Sequence, residues 1–253
     1  MLGMYKDLAI HQQHQLILSL DRTLIVVKNY TGDVLNFGLA KEQYAAEHAG
    51  KKSDKVKFIT VGDDVAVGKT QGSIVGRRGL AGVVLVYKVA GALAAKGGSL
   101  DEVYSIAQYV ADNTGTIGVG LDHCHVPGTA IGEGNLGADE VEIGLGIHNE
   151  SGNRRISPVP PLSELTPQIL DLITSTTDRE RSFVPFKHDG KDEVVLFVNN
   201  LGGLSELELG GVVGAVSTEL ANRKINIARV LSGAFVVAIH LFPHRGTYLL
   251  RLL

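Results

Sequence analysis

Short β-branched runs alternate with longer apolar stretches along the first half of this chain. Residues 23–27 and 56–61 have strand composition, each rich in valine, isoleucine and threonine. Between them, residues 38–48 set Leu39, Tyr44, Ala45 and Ala46 among charged positions, the spacing of a short amphipathic helix. Residues 79–95 are apolar almost throughout and predict a buried helix. Ser99 followed by Glu102 is a capping box, which opens a further helix to about residue 112. Strand, helix, strand, helix in this order predicts a parallel sheet with right-handed crossovers.

The texture changes near Asn113. Strands are expected at 116–121 and 141–147, separated by a glycine-rich loop at 128–137. In the second strand Ile143, Leu145 and Ile147 alternate with Gly144 and Gly146. That pattern predicts one apolar face and one stripped to backbone, where another segment or a ligand approaches closely. After a polar, proline-bearing stretch at 157–162, Thr166 reads as an N-cap with Pro167 in the first helical position, opening a helix to about residue 176. A strand at 193–198, a turn at 199–204, a helix at 205–220 and a last strand at 225–230 complete the pattern. The expected fold class is α/β: a parallel-sheet first domain over 1–112, then an α+β second domain over 113–253.

Composition narrows the function classes. With 253 residues, 44% hydrophobic, the chain has material for one large core or two modest ones. A net charge of -3 gives no reason to expect nucleic acid or an anionic membrane as partner. One cysteine, Cys124, excludes an internal disulfide and suits a reducing, cytoplasmic setting. No apolar stretch reaches the roughly 20 residues needed to span a bilayer, and the first residues lack the pattern of a secretion signal.

His148 closes the glycine-interrupted strand and is followed by the turn-rich Asn149-Glu150-Ser151-Gly152. An imidazole there stands at the rim of a cleft, and imidazole attacks carbonyls near neutral pH. A second candidate is the turn after the first strand, Lys28-Asn29-Tyr30-Thr31-Gly32-Asp33. The carboxyl ends of parallel strands form ligand crevices. A lysine there polarises an oxygen and an aspartate removes a proton. The competing assignment makes Asp33 a helix cap and Lys28 a solvated cation. Gly68-Lys69-Thr70 follows a strand and invites a phosphate-loop reading, but that loop needs glycine at position 63, where Asp63 stands beside Asp64. Gly76-Arg77-Arg78-Gly79 is better explained by helix docking than by an anion site. Asp122-His123-Cys124-His125 has metal-binding residue types, but neighbours on a strand point to opposite faces and do not converge on one ion.

Five segments in order, VVKNYTGDVLNF, GDDVAVGKTQGSIVGRRGLAGVVLVYKVAGALAAKGGSL, TIGVGLDHCHVPGT, DEVEIGLGIHNESG and VVLFVNNLGGLSELELG, resemble the dihydroxyacetone kinase family. The likeness is to its substrate-binding (DhaK-type) domain in the single-chain ATP-dependent kinases, over residues 24–234. The resemblance implies that His148 adds to the ketone of dihydroxyacetone as a hemiaminal, that Asp33 activates the hydroxyl receiving phosphate, and that Lys28 is a further substrate contact. It also implies glyceraldehyde as an alternative substrate, a homodimer, a place in glycerol catabolism, and ATP with Mg held by a further domain in cis or in trans. The chain departs from the family in two places. A glycine-rich segment with a second histidine, expected ahead of Lys28, has no counterpart, and His11 and His14 do not replace it. Residues 236–253 leave the family pattern. Truncation at both ends is therefore expected, with little or no kinase activity from this chain alone and an unpaired sheet edge that lowers solubility. The alternative is a ketone-binding pseudoenzyme or regulatory module.

Overall fold

The computed structural model describes residues 22–48, 55–122, 136–148 and 150–237, and the backbone of 247–252. β1 (Thr23–Lys28) and β2 (Val56–Val61) pair in parallel, with α1 (Thr31–Glu47) crossing between them. Then come α2 (Gly82–Ala95), α3 (Leu100–Asp112), β3 (Gly115–Gly120), β4 (Val141–Ile143), β5 (Arg154–Ile156), α4 (Leu162–Thr174), β6 (Glu193–Asn200), α5 (Glu206–Asn222), β7 (Asn226–Gly233) and β8 (Thr247–Leu252). β3 to β8 form a second sheet in the order β5-β4-β3-β8-β6-β7, antiparallel except between β6 and β7. The α/β class expected from the sequence is the one observed.

Apolar side chains divide into layers that explain this order. Ile25, Val27 and Val56 face Ala40 and Tyr44 of α1. Ile59 and Val61 face the other way, into α2 and α3, where Phe197 of β6 joins them from the second sheet. The far side of that sheet, with Ile117, Ile143, Leu196 and Val198, packs on Ile169 and Ile173 of α4 and Val216 and Leu220 of α5. Leu196 and Phe197 thus serve opposite cores, as adjacent residues on a strand must. Two backbone bonds tie the sheets together: Val65 N–H to Thr116 O at 2.9 Å and Thr116 N–H to Asp63 O at 2.7 Å.

Several boundaries differ from the sequence expectation. α1 starts at Thr31, inside the segment read as a turn. Its N-cap, Tyr30, makes no side-chain capping bond, so the usual start signal is missing. α4 begins at Leu162, with Pro161 as N-cap and Pro167 inside the helix. The stripe Leu165, Ile169, Leu170 and Ile173 is fully buried, which outweighs the one backbone donor that proline lacks. The strand expected at 141–147 ends at Ile143, because Gly144 takes a φ of 89°. Ile143 and Ile147 therefore enter different cores rather than sharing one apolar face. β5 escaped notice because Arg154 and Arg155 give it no apolar alternation. β8, in the stretch that leaves the family pattern, lies between β3 and β6 in the middle of the sheet. The capping box of Ser99 with Glu102 forms as expected.

Candidate functional site

The turn after β1 is pinned from three directions. Asn29 donates its backbone N–H to Val61 O at 2.9 Å. Its side-chain amide donates to Val75 O at 2.6 Å and Arg77 O at 2.7 Å. Close passage of the chain at Gly79 locks the same turn. A Cβ there would lie 2.6 Å from Val61 O and 2.7 Å from Asn29 N, so only glycine fits. Gly79 therefore lets the chain pass against the end of β2 and the turn after β1.

Behind the turn, Asp63 and Asp64 are both fully buried. Asp63 accepts the N–H groups of Leu80 at 2.7 Å and Gly82 at 2.8 Å at the start of α2, and the Thr116 hydroxyl from β3. Asp64 accepts the Ala66 N–H at 2.9 Å and pairs with Arg78 Nε at 2.7 Å. Arg78 then donates from Nη2 to Gly144 O at 2.6 Å, where β4 ends. This buried chain of contacts joins the first sheet to the segment carrying His148. Sequence reasoning used these aspartates only to reject a phosphate loop and did not foresee their role; the one hint was a charged pair flanked by strand and glycine.

Burial pushes the Asp64 carboxyl up to about 6, against the opposing pull of Arg78 and the Ala66 N–H. Its pKa is thus higher folded than unfolded, where an aspartate titrates near about 4. Stability from this group is complete below about pH 4 and is lost as pH rises through about 6. The stability advantage of the native chain over Asp64→Asn should shrink across that window by up to roughly 3 kcal/mol, at about 1.4 kcal/mol per unit. Urea titrations of both proteins at several pH values read this directly, and a constant gap would refute it.

Beyond Gly144 the chain reverses, closed by Gly146 N–H to Glu150 O at 2.9 Å. Ile147 anchors the reversal in the core between α2 and β2, and His148 stands exposed at its tip. The His148 ring meets Tyr30 edge to face, centroids 4.7 Å apart. Its Nδ1 is 3.3 Å from Glu150 Oε1, its backbone N–H donates to Oε2 at 2.9 Å, and Nε2 has no partner among the described residues. Lys28 Nζ lies 5.8 Å from the centre of the same Tyr30 ring. Tyr30 thus brings Lys28 and His148 together. Its own hydroxyl is buried with no hydrogen-bond partner among the described residues. Burial, then the nearby Glu150 carboxylate, raise that phenol well above its ordinary range. Asp33 is exposed in the first turn of α1, and among the described residues its carboxylate makes no hydrogen bond or ion pair. Among the described residues it forms no ion pair with Lys28 or His148; its charge is felt at Tyr87 of α2, whose phenol burial and Asp33 raise. Neither Tyr30 nor Glu150 was singled out from sequence.

A cleft of about 250 Å³ opens beside Arg78 and Gly144, walled by Ala66, Gln71, Gly76 and Asn153; Lys28, Asp33 and His148 are not among its lining residues. A larger cavity of about 500 Å³, between Leu24, Val26, Tyr87 and Leu100, holds none of the candidate side chains.

The Gly68-Lys69-Thr70 turn does not fit the phosphates of ATP. Gly68-Lys69-Thr70 does receive an anion, but an internal one: Thr70 donates its N–H at 2.8 Å and its hydroxyl at 2.7 Å to the Glu180 carboxylate. Gly68 has no side chain because that carboxylate packs against it, a Cβ there lying 2.7 Å from Glu180 Oε2. A triphosphate would have to displace a like charge. Among the described residues no group of three or more acids, histidines or cysteines is placed to hold a metal. The run His123-Cys124-His125 lies outside the described residues.

The chain is 51% identical over 219 residues to dihydroxyacetone kinase 2 of Saccharomyces cerevisiae, covering 86% of this chain and 36% of that protein. It is 47% identical over 219 residues to the human triokinase/FMN cyclase, covering 87% of this chain and 36% of that protein. It therefore spans little more than a third of the curated relatives it matches. Among solved structures, the C. freundii dihydroxyacetone kinase in complex with AMP-PNP and Mg2+ superposes with a TM-score of 0.76 at 27% identity, over 96% of this chain and 41% of that one. The dihydroxyacetone kinase operon co-activator Dha-DhaQ shares the fold, with a TM-score of 0.78 at 23% identity over 96% of this chain and 70% of that one. The Dak1 domain matches residues 8–241, nearly the whole chain, and the protein belongs to the Dak1 domain family of dihydroxyacetone kinases.

Proposed function

We propose that this chain is the ketone-binding part of a dihydroxyacetone kinase and captures dihydroxyacetone covalently on His148. One observation carries the reading: an exposed imidazole with an uncommitted Nε2 stands against Tyr30, in the turn that also carries Lys28. The Nε2 lone pair forms a bond to the carbonyl carbon, and the C=O π pair moves to oxygen. That oxygen takes a proton from solvent, and the ring returns one from Nδ1, so the hemiaminal is neutral overall. Glycerol, with no electrophilic carbon, cannot enter this bond, which gives selectivity for a ketone or aldehyde over a polyol.

Lys28 supplies positive charge beside the captured molecule. Asp33, an uncommitted carboxylate at the start of α1, is assigned the proton of the hydroxyl that becomes phosphorylated. ATP and Mg belong to a further domain in cis or in trans, and a cytoplasmic homodimer is the expected form by family likeness. A second reading is an ATP-independent ketone-binding module, which captures the ketone on His148 in the same way and needs no nucleotide-binding domain.

Native mass spectrometry tests the proposal. With dihydroxyacetone the chain should gain the mass of one intact ketone, with no water lost, and with glycerol it should gain nothing. Equal gain with both, or no gain with the ketone, defeats the reading. Adding ATP-Mg together with the nucleotide-binding domain of a dihydroxyacetone kinase in trans separates the two functions: a phosphate ester identifies a kinase part, and its absence with the adduct retained identifies the binding module.

A further inference from the structure

His148 is held by more than its place at the tip of a turn. The Glu150 carboxylate divides its oxygens, one toward the His148 backbone N–H at 2.9 Å and the other toward ring Nδ1 at 3.3 Å. Room for this arrangement comes from Gly146, where a Cβ would overlap the carboxylate. Glycine is not required there by backbone conformation, since only Gly144 in this segment has a positive φ. The missing side chain at position 146 therefore makes space for the acid. The carboxyl itself is partly buried, which raises its pKa. The His148 contacts more than offset this, so it lies below the ordinary glutamate range and is ionised at neutral pH.

An ionised carboxylate only accepts hydrogen bonds, so the nitrogen facing it must carry the proton. We propose that Glu150 is a positioning residue that fixes the His148 ring as its Nδ1–H tautomer and thereby leaves the Nε2 lone pair for a carbonyl. During addition the ring gains positive charge as the N–C bond forms, and the same carboxylate faces that charge until the Nδ1 proton leaves to solvent. The arrangement parallels the orienting acid of a hydrolase triad, which selects a tautomer without touching substrate. Tyr30 restrains the ring from its other side, edge to face. A lone turn-closing role for Glu150 needs only the backbone contact and would leave the ring free to carry its proton on either nitrogen.

The inference rests on the proposed ketone capture, yet its test can be read without any ketone. Two-dimensional ¹⁵N–¹H spectra of the imidazoles, recorded on the whole chain, report which nitrogen of His148 carries the proton. The native chain should show the Nδ1–H tautomer, and Glu150→Ala should move the ring toward Nε2–H. The apparent affinity for dihydroxyacetone, measured by adduct mass, should then fall by about tenfold or more. Gly146→Ala is the second variant: it keeps the acid but displaces it, and should give the same tautomer shift should Glu150→Ala fail to fold. A native ring protonated on Nε2, or both variants retaining Nδ1–H, would overturn the role of Glu150. A tautomer that responds to Glu150 in a chain that never forms the adduct would support the positioning role and sink the ketone reading instead.

Discussion

Asp63→Ala is expected to lower the unfolding free energy by about 3–5 kcal/mol, as three buried donors lose their acceptor at about 1–3 kcal/mol each. The carboxylate is fully buried and holds three donors: the Leu80 and Gly82 N–H groups and the Thr116 hydroxyl. These belong to the start of α2 and to β3, so the loss falls on both sheets at once. Each abandoned backbone donor keeps its desolvation cost. Asp63→Asn keeps the shape and one accepting oxygen and should cost less, about 2 kcal/mol. Denaturant melts of the three proteins measure the order directly. An alanine variant within about 0.5 kcal/mol of the native chain would show that the network holds little together.

His148→Ala should act on binding and leave folding intact. The ring is 39% exposed and outside every apolar core, so its loss should change stability by no more than about 0.5 kcal/mol. Dihydroxyacetone is small, and the contacts left after losing a covalent bond supply limited free energy. Its affinity should drop by about a hundredfold or more, judged by isothermal calorimetry on a variant whose melt matches the native chain. Retained affinity would assign the ketone to another group.

Much of the framework was legible because it is local. The capping box of Ser99 with Glu102 predicts its helix from two side chains, and the β-branched run Val56–Val61 is a strand from first residue to last. His148 drew attention through its glycines, and the structure explains each one. Gly144 takes a positive φ to end the strand and passes Ala66 closely, while Gly146 leaves space for Glu150. What stayed illegible depends on partners distant along the chain. Nothing near Arg78 announces that it spans from Asp64 to the Gly144 carbonyl. Nothing near Thr70 shows that Glu180 will fill the turn. β8 could not be foreseen because its place between β3 and β6 is set by backbone pairing with strands well over a hundred residues and about fifty residues earlier. Asp33 remains a family-derived assignment, since among the described residues its carboxylate makes no hydrogen bond or ion pair.

The most direct test of the central claim uses dihydroxyacetone labelled with ¹³C at its carbonyl and the chain labelled with ¹⁵N. Bound ketone should lose its carbonyl resonance, gain a tetrahedral one, and show one-bond coupling to the Nε2 of His148. A bound molecule that keeps its carbonyl signal, or whose labelled carbon couples to a nitrogen of any other residue, would contradict the account.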